Sequence, residues 1–224
     1  CWSPDGQWIY YNRHLGSGRS DVWKVKVDGS TQSFVFDPTG ETNCMDISPD
    51  GNYLVYARQD GSWSPSLEIY KTPIATPGSP MTKIFNDPDS SYDDYPRWSS
   101  DGSKIAWFHV CQSGGYNQDY TEIYTMNSDG TNVQRLTNNY PIQDIAPDWA
   151  DNGTKIVFTS NRDGNHEIYI MNSDGSYVVR LTTNTAHDDE SDWISSTATQ
   201  TGTISGKVTK SDGVTGISLS LIHI

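Results

Sequence analysis

Trp98-Ser99-Ser100-Asp101-Gly102, followed by the alternating run Lys104-Ile105-Ala106-Trp107, has three counterparts in this chain. They open as Trp2-Ser3-Pro4-Asp5-Gly6, Ile47-Ser48-Pro49-Asp50-Gly51 and Trp149-Ala150-Asp151-Asn152-Gly153. Each leads into a short alternating apolar run: Trp8-Ile9-Tyr10-Tyr11, Tyr53-Leu54-Val55-Tyr56 and Lys155-Ile156-Val157-Phe158. A third element follows at Val22-Trp23, Ile69-Tyr70, Ile123-Tyr124 and Ile168-Tyr169, and a fourth closes the unit, as in Arg135-Leu136-Thr137 and Arg180-Leu181-Thr182. The period is 45 residues from Ile9 to Leu54 and 51 thereafter. Self-similarity at this period marks a repeat architecture.

Alternation at period two predicts strands, four per unit. Asp-Gly recurs between them at 5, 28, 50, 60, 101, 129, 163 and 174, and Asn-Gly at 152. These dipeptides suit the positive φ of tight two-residue hairpins. The predicted fold is all-β, a β-propeller of four-stranded antiparallel blades. A β-sandwich is the runner-up, but it offers no reason for a repeated four-strand unit. The expected blades are residues 1–37, 42–86, 93–138 and 144–184, with a partial fifth at 187–194 that supplies one innermost strand. A linker at 195–201 follows. Trp2, Trp98, Trp149 and Trp193 are expected to pack between blades.

The run from Ser160 to Gly175 that ends in Arg180-Leu181-Thr182 resembles the TolB-type (PD40, WD40-like) repeat, and Pro96-Arg97-Trp98-Ser99-Ser100-Asp101-Gly102 resembles its opening. The resemblance covers residues 1 to about 196. The second repeat departs most, with Ile47 in place of Trp. The resemblance implies a six-bladed parent, of which four blades and one strand are part, and a bacterial protein that is periplasmic, secreted or at the cell surface. Residues 202–218, with Gly202-Thr203-Ile204-Ser205-Gly206-Lys207-Val208-Thr209, resemble the start of a carboxypeptidase-regulatory-like β-sandwich module. Residues 219–224 read as translated sequencing adapter, so His223 is left out of functional reasoning. The chain opens at Cys1-Trp2 inside a strand, so further sequence, including any leader, is expected before it.

Of the 224 residues, 15 are Lys or Arg and 28 Asp or Glu, for a net charge of -13. That excludes a phosphate-tracking nucleic-acid binder. No apolar run reaches the ~20 residues of a membrane span. Three Cys, at 1, 44 and 111, match no disulfide or zinc framework.

Two loops are long: Gln59 to Ser66, with Trp63, and His109 to Tyr120, with Tyr116 and Tyr120. With Tyr92 and Asp188 they are the candidate binding face, because aromatic loops over a rigid scaffold suit protein or glycan contacts. Asp87, Asp89, Asp93 and Asp94 are candidates for a weak Ca²⁺ site, and otherwise no cofactor is expected. Asp93, Asp144 and Asp188 each lie five residues before a blade-opening Trp, a spacing that suggests carboxylates accepting backbone N–H bonds at the turn. His14, His109, His166 and His187 are read as scattered, with only His187 beside Asp188 of interest. Arg13 and Arg58 are read as cross-strand partners of blade carboxylates. No Gly-x-Ser-x-Gly, phosphate loop or His-Glu-x-x-His occurs. The expected function is a non-enzymatic interaction scaffold. The alternative is the accessory propeller of an enzyme, either a prolyl-oligopeptidase-type peptidase or a sugar lyase.

Overall fold

A computed structural model describes residues 1–16, 18–59, 66–85, 92–112 and 119–193. The described residues form four antiparallel sheets whose strands lie in chain order. The first holds β1 (Trp8–Gly16), β2 (Arg19–Lys26) and β3 (Gln32–Phe36). The second holds β4 (Thr42–Ile47), β5 (Tyr53–Gln59), β6 (Leu67–Pro73) and β7 (Thr82–Lys83). The third holds β8 (Tyr92–Trp98), β9 (Lys104–Gln112), β10 (Asp119–Asn127) and β11 (Gln134–Arg135). The fourth holds β12 (Asp144–Ala150), β13 (Lys155–Ser160), β14 (Glu167–Asn172) and β15 (Val179–Arg180). A 3-10 turn at Asp151–Gly153 is the one helical element among them. No helix of the described residues is long and apolar enough to cross a membrane.

Two strands expected from the repeat are missing. The first sheet has three strands, and Trp2 touches it by a single bridge to Ile9. Residues 187–193 form no ladder. A strand exists only through its hydrogen-bonded partner, and none runs beside this segment among the described residues. Its local geometry nevertheless repeats. Glu190 has φ 56°, as Tyr95 has 56° and Ala146 49°, each three residues before a Trp.

The Asp-Gly turns differ from the two-residue hairpins expected. Before β5 and β9 the chain makes a four-residue turn closed from the Gly N–H to the Ser carbonyl: Gly51 to Ser48 and Gly102 to Ser99, both 2.8 Å. Among the turn residues only the Gly takes positive φ. The Asp does its work with the side chain. Asp50 Oδ1 accepts from Ser48 Oγ at 2.6 Å and from Asn52 N–H at 3.0 Å. Asp101 Oδ1 repeats this with Ser99 Oγ at 2.7 Å and Ser103 N–H at 2.9 Å. These bonds hold the carboxyls of Asp50 and Asp101 below the ordinary range, the Ser hydroxyl contributing most.

The cores lie between sheets. Leu54, Tyr56 and Tyr70 of the second sheet pack with Tyr10, Val22 and Phe36 of the first. The opposite face of the second sheet, with Val55, Ala57 and Ile69, packs on Trp98, Ile105 and Trp107 of the third. Ile123 and Ala106 then meet Trp149, Ile156 and Phe158 of the fourth. Strand alternation sends successive side chains to opposite neighbours, so each sheet carries two apolar faces. Fully burying a side chain such as Ile105 contributes roughly 1.5–3 kcal/mol. Trp98 and Trp149 are buried, and Trp193 packs partly against Ala150, Val157 and Ile170. Trp2 departs from the expected packing and is 61% exposed, because no sheet precedes it among the described residues.

Backbone approach between sheets is close at two outer turns. A Cβ on Gly130 would lie 2.3 Å from the Ile84 carbonyl oxygen, and one on Gly175 2.7 Å from that of Leu136. Both glycines have positive φ, so glycine is required twice over at each site.

Candidate functional site

The innermost strands β4, β8 and β12 each carry a bulge: Thr42/Met45, Asp94/Arg97 and Ile145/Asp148. An extra residue re-aims the side chains that follow it. In β8 and β12 the extra residue is a non-glycine at positive φ, Tyr95 and Ala146. That conformation costs energy and is found where the surrounding structure enforces it. The result is a cavity of about 590 Å³ whose lining includes Cys44, Asp46, Tyr95, Arg97, Asp148 and Asp192.

Charge is unevenly distributed in this cavity. One guanidinium, Arg97, faces the carboxylates Asp46, Asp148, Glu190 and Asp192. Asp46 and Asp148 occupy the same position in their sheets, immediately before the blade-opening residue. Asp46 accepts from Ile47 N–H at 2.8 Å and from Trp98 N–H of the next sheet at 2.9 Å. Asp148 accepts from Trp149 N–H at 2.9 Å and Trp193 N–H at 2.8 Å. In the third sheet this position is Arg97, and Trp149 instead donates its indole N–H to the Arg97 carbonyl at 3.0 Å. Tyr95 donates to Glu190 Oε1 at 2.7 Å, which ties the third sheet to the segment after the fourth.

Burial is the leading cause of each shift in this region. Burial pushes the Asp46 carboxyl up, and Asp148 is raised by burial and by its neighbour Asp192. Asp94 is pushed up to about 6 and the Cys44 thiol up to about 11. The Tyr95 phenol is raised by burial and by its bond to Glu190. Cys44 and Tyr95 therefore stay protonated at neutral pH and act as hydrogen-bond groups.

The residues singled out from sequence fall in several places. Trp63, Tyr116, Asp87 and Asp89 lie outside the described residues, as do the linker at 195–201 and residues 202–224. Tyr92 is half-buried, packs on the cluster around Trp98 and Trp107, and accepts from Asn43 Nδ2 at 3.0 Å. It is therefore an inter-sheet support. Tyr120 stands edge-on to Tyr140 at 4.8 Å, and Tyr140 is 53% exposed. This ring pair was not anticipated from sequence.

Asp93 and Asp144 are fully buried, and side chains are among their partners. Asp93 Oδ1 accepts from Trp107 Nε1 at 2.8 Å and meets His109 Nδ1 at 2.9 Å. Asp144 meets Arg162 Nη2 at 3.0 and 3.1 Å. Asp188 accepts from Asn184 Nδ2 at 2.6 Å. Asp94 Oδ2 accepts from Asn43 Nδ2 at 2.8 Å and Oδ1 from Tyr95 N–H at 2.8 Å. Asp93 Oδ1 and both Asp94 oxygens are thus engaged within the protein, while Asp87 and Asp89, the other two residues of the expected Ca²⁺ site, lie outside the described residues.

Arg13 pairs with Asp21 at 2.8 Å as expected. Arg58 donates to the Tyr70 hydroxyl at 3.1 Å and the Pro38 carbonyl at 3.1 Å. His166 and His187, read as scattered, lie with ring centroids 5.2 Å apart.

Four antiparallel sheets, three of them with bulged inner strands, apolar cores between sheets and side chains converging at the inner strands define a β-propeller. The family profile of the TolB beta propeller domain (PD40) matches residues 90–204, and the chain belongs to this family. The match runs past residue 194 through the segment read as a linker. An uncharacterized protein of Agrobacterium fabrum is 31% identical over 110 residues, which is 47% of this chain and 37% of the relative. A structure assigned to TolB of Agrobacterium tumefaciens is 27% identical with a TM-score of 0.63, over 84% of this chain and 62% of that one. The crystal structure of TolB from Acinetobacter baumannii is 21% identical with a TM-score of 0.65, over 84% and 44%. The chain thus spans less than two thirds of the length of each of these relatives.

Proposed function

We propose that this chain is a protein-binding scaffold of the bacterial periplasm or cell surface. Its acidic cavity at the inner strands would receive a segment of a partner protein rich in basic and amide groups. The observation that carries the reading is the cavity itself. Four carboxylates and one guanidinium converge there, Asp46, Arg97 and Asp148 from inner strands and Glu190 and Asp192 from the segment after the fourth sheet, with non-glycine residues at positive φ in β8, β12 and that segment. Convergent polar groups in a preformed concave site favour recognition, and strain enforced by the fold is found at sites with a task. A net charge of -13 steers a cationic partner toward the surface. Cys44 and Tyr95, held protonated by burial, offer hydrogen bonds to a bound segment. Membership in the TolB beta propeller family and similarity to bacterial TolB structures support the compartment. A glycan partner is the second reading, favoured by the exposed Tyr140 ring beside Tyr120.

The test is a photo-crosslinking residue at position 192 on the cavity rim, with a control at position 29 on an outer turn. Both proteins are exposed to a bacterial envelope extract, and adducts are identified by mass spectrometry. A protein crosslinked from 192 but not from 29, and released by added salt, is the expected outcome. Identical adducts from both positions, or none from 192, would refute the reading.

A further inference from the structure

The segment after β15 folds back over the β13–β14 turn and brings His166, His187 and Asp189 together. One ligand atom from each lies within 4.8 Å of the other two. His166 Nδ1 meets Asp189 Oδ1 at 2.6 Å, and the His187 ring lies across that of His166 at 73°. We propose that these three side chains form a binding site for a borderline transition-metal ion such as Zn²⁺, independent of the cavity at the inner strands and of the binding role proposed for it.

Three observations carry the proposal. The first is the donor set. Two imidazoles and one carboxylate suit Zn²⁺, Ni²⁺ or Cu²⁺, whereas Ca²⁺ and Mg²⁺ prefer shells of oxygen alone. The second is how the returning segment is held. Asn165 Nδ2 donates to the carbonyls of Asn184, at 3.1 Å, and of Ala186. Asp188 N–H donates to the His166 carbonyl at 2.9 Å, and Asn184 Oδ1 accepts from Ala186 N–H at 2.7 Å. These bonds use backbone and amide groups, so the segment does not depend on the ligand side chains alone, and an entering ion replaces the His166–Asp189 contact. The third is access. His166 is partly buried and fixed, while His187 and Asp189 are exposed.

Zn–N and Zn–O bonds are about 2.0–2.2 Å, so ligand atoms around one ion sit roughly 3.3–3.6 Å apart in a tetrahedral shell. The exposed His187 closes the remaining distance by rotating its side chain. The Asp189 carboxylate binds directly or fixes the His166 tautomer, as carboxylates beside metal-bound imidazoles do. Gln143 Oε1 stands 3.4 Å from His166 Nε2, across the ring from Asp189, and joins the shell only in the arrangement where Asp189 fixes the tautomer. Its remaining coordination is open to solvent.

The test uses the purified chain without a histidine tag. ZnCl₂ is titrated by calorimetry and by thermal melting, with CaCl₂ as comparison. The expected result is zinc binding with a Kd on the order of micromolar and a rise in Tm by mass action, with neither from calcium. His187→Ala and Asp189→Asn, both exposed and compatible with folding, should each weaken zinc binding at least about tenfold. His14→Ala, an exposed histidine of the first sheet, should leave it unchanged. Titration by Co²⁺ adds a direct readout, because its weak visible absorption in water intensifies and moves to longer wavelength when protein ligands impose a four-coordinate shell. Zinc binding that survives His187→Ala and Asp189→Asn, or that is absent below about millimolar, would overturn the proposal and leave the His166–Asp189 contact as an ion pair.

Discussion

Gly29, Gly130 and Gly175 occupy the same turn in three sheets, with φ of 73°, 88° and 84°. They differ in what stands opposite. A Cβ at Gly29 meets nothing within 4 Å, while one at Gly175 or Gly130 lies 2.7 or 2.3 Å from a backbone oxygen of the preceding sheet. Gly29→Ala therefore reports the left-handed conformation alone, about 1–2 kcal/mol, reduced slightly by the stiffer unfolded chain. Gly130→Ala adds a clash with backbone that no rotamer relieves, and the second and third sheets must separate. Overpacking of this kind costs about 1–3 kcal/mol more, for a total of about 2–5 kcal/mol. Gly175→Ala should fall between the two. Urea unfolding at constant m resolves differences of this size. Equal losses for all three variants, within about 0.5 kcal/mol, would refute the view that these turns are glycine because sheets touch there.

Other consequences are equally open to measurement. Asp93→Ala leaves the Trp107 indole N–H and His109 without their shared buried acceptor, and chemical denaturation should show a loss of about 2–4 kcal/mol. Carbon-13 NMR should find Asp94 titrating near 6. Because burial raises that value, its contribution to stability is full below the ordinary 3.8 and is lost as pH rises through about 6; an Asp94 titrating near 4 would contradict its burial. Asp50 and Asp101 behave in the opposite sense. Their lowered carboxyls contribute stability above 3.8 that is lost as pH falls through their folded values, so Asp50→Asn with Asp101→Asn should flatten the acid limb of a stability-versus-pH curve.

The architecture was readable because the repeat states it several times over. Alternation in Lys104–Trp107 and its counterparts places one apolar face toward each neighbouring sheet, and no other arrangement satisfies both faces in every copy. Turn chemistry was half readable. Asp-Gly marked the turns, but the role of Asp50 depends on Ser48 two residues earlier, and pairwise dipeptide reading misses it. The cavity was hidden because its recurring property is position and not residue type. Cys1, Asp46, Arg97, Asp148 and Asp192 each precede a blade-opening residue, and although three are aspartates, Cys1 and Arg97 break the residue pattern. The bulges that turn them inward break the strict alternation on which strand reading relies. The meeting of His166 and His187 was unreadable for another reason. The segment carrying His187 lies outside the fourth sheet, and long-range hydrogen bonds, among them those to Asn165 and His166, bring it back.

The placement of apolar cores between sheets has a consequence for how damage spreads. A core shared by two neighbours makes each sheet a lodger in the two interfaces beside it, with no interior of its own. Stability then resembles a chain of nearest-neighbour couplings, as in stacked repeats. A lesion at Trp107 loosens the second and third sheets together and leaves the fourth one step removed. Amide exchange should accordingly be slowest in β5 and β9, each flanked on both faces, and fastest in β2 and β3 at the margin of the array.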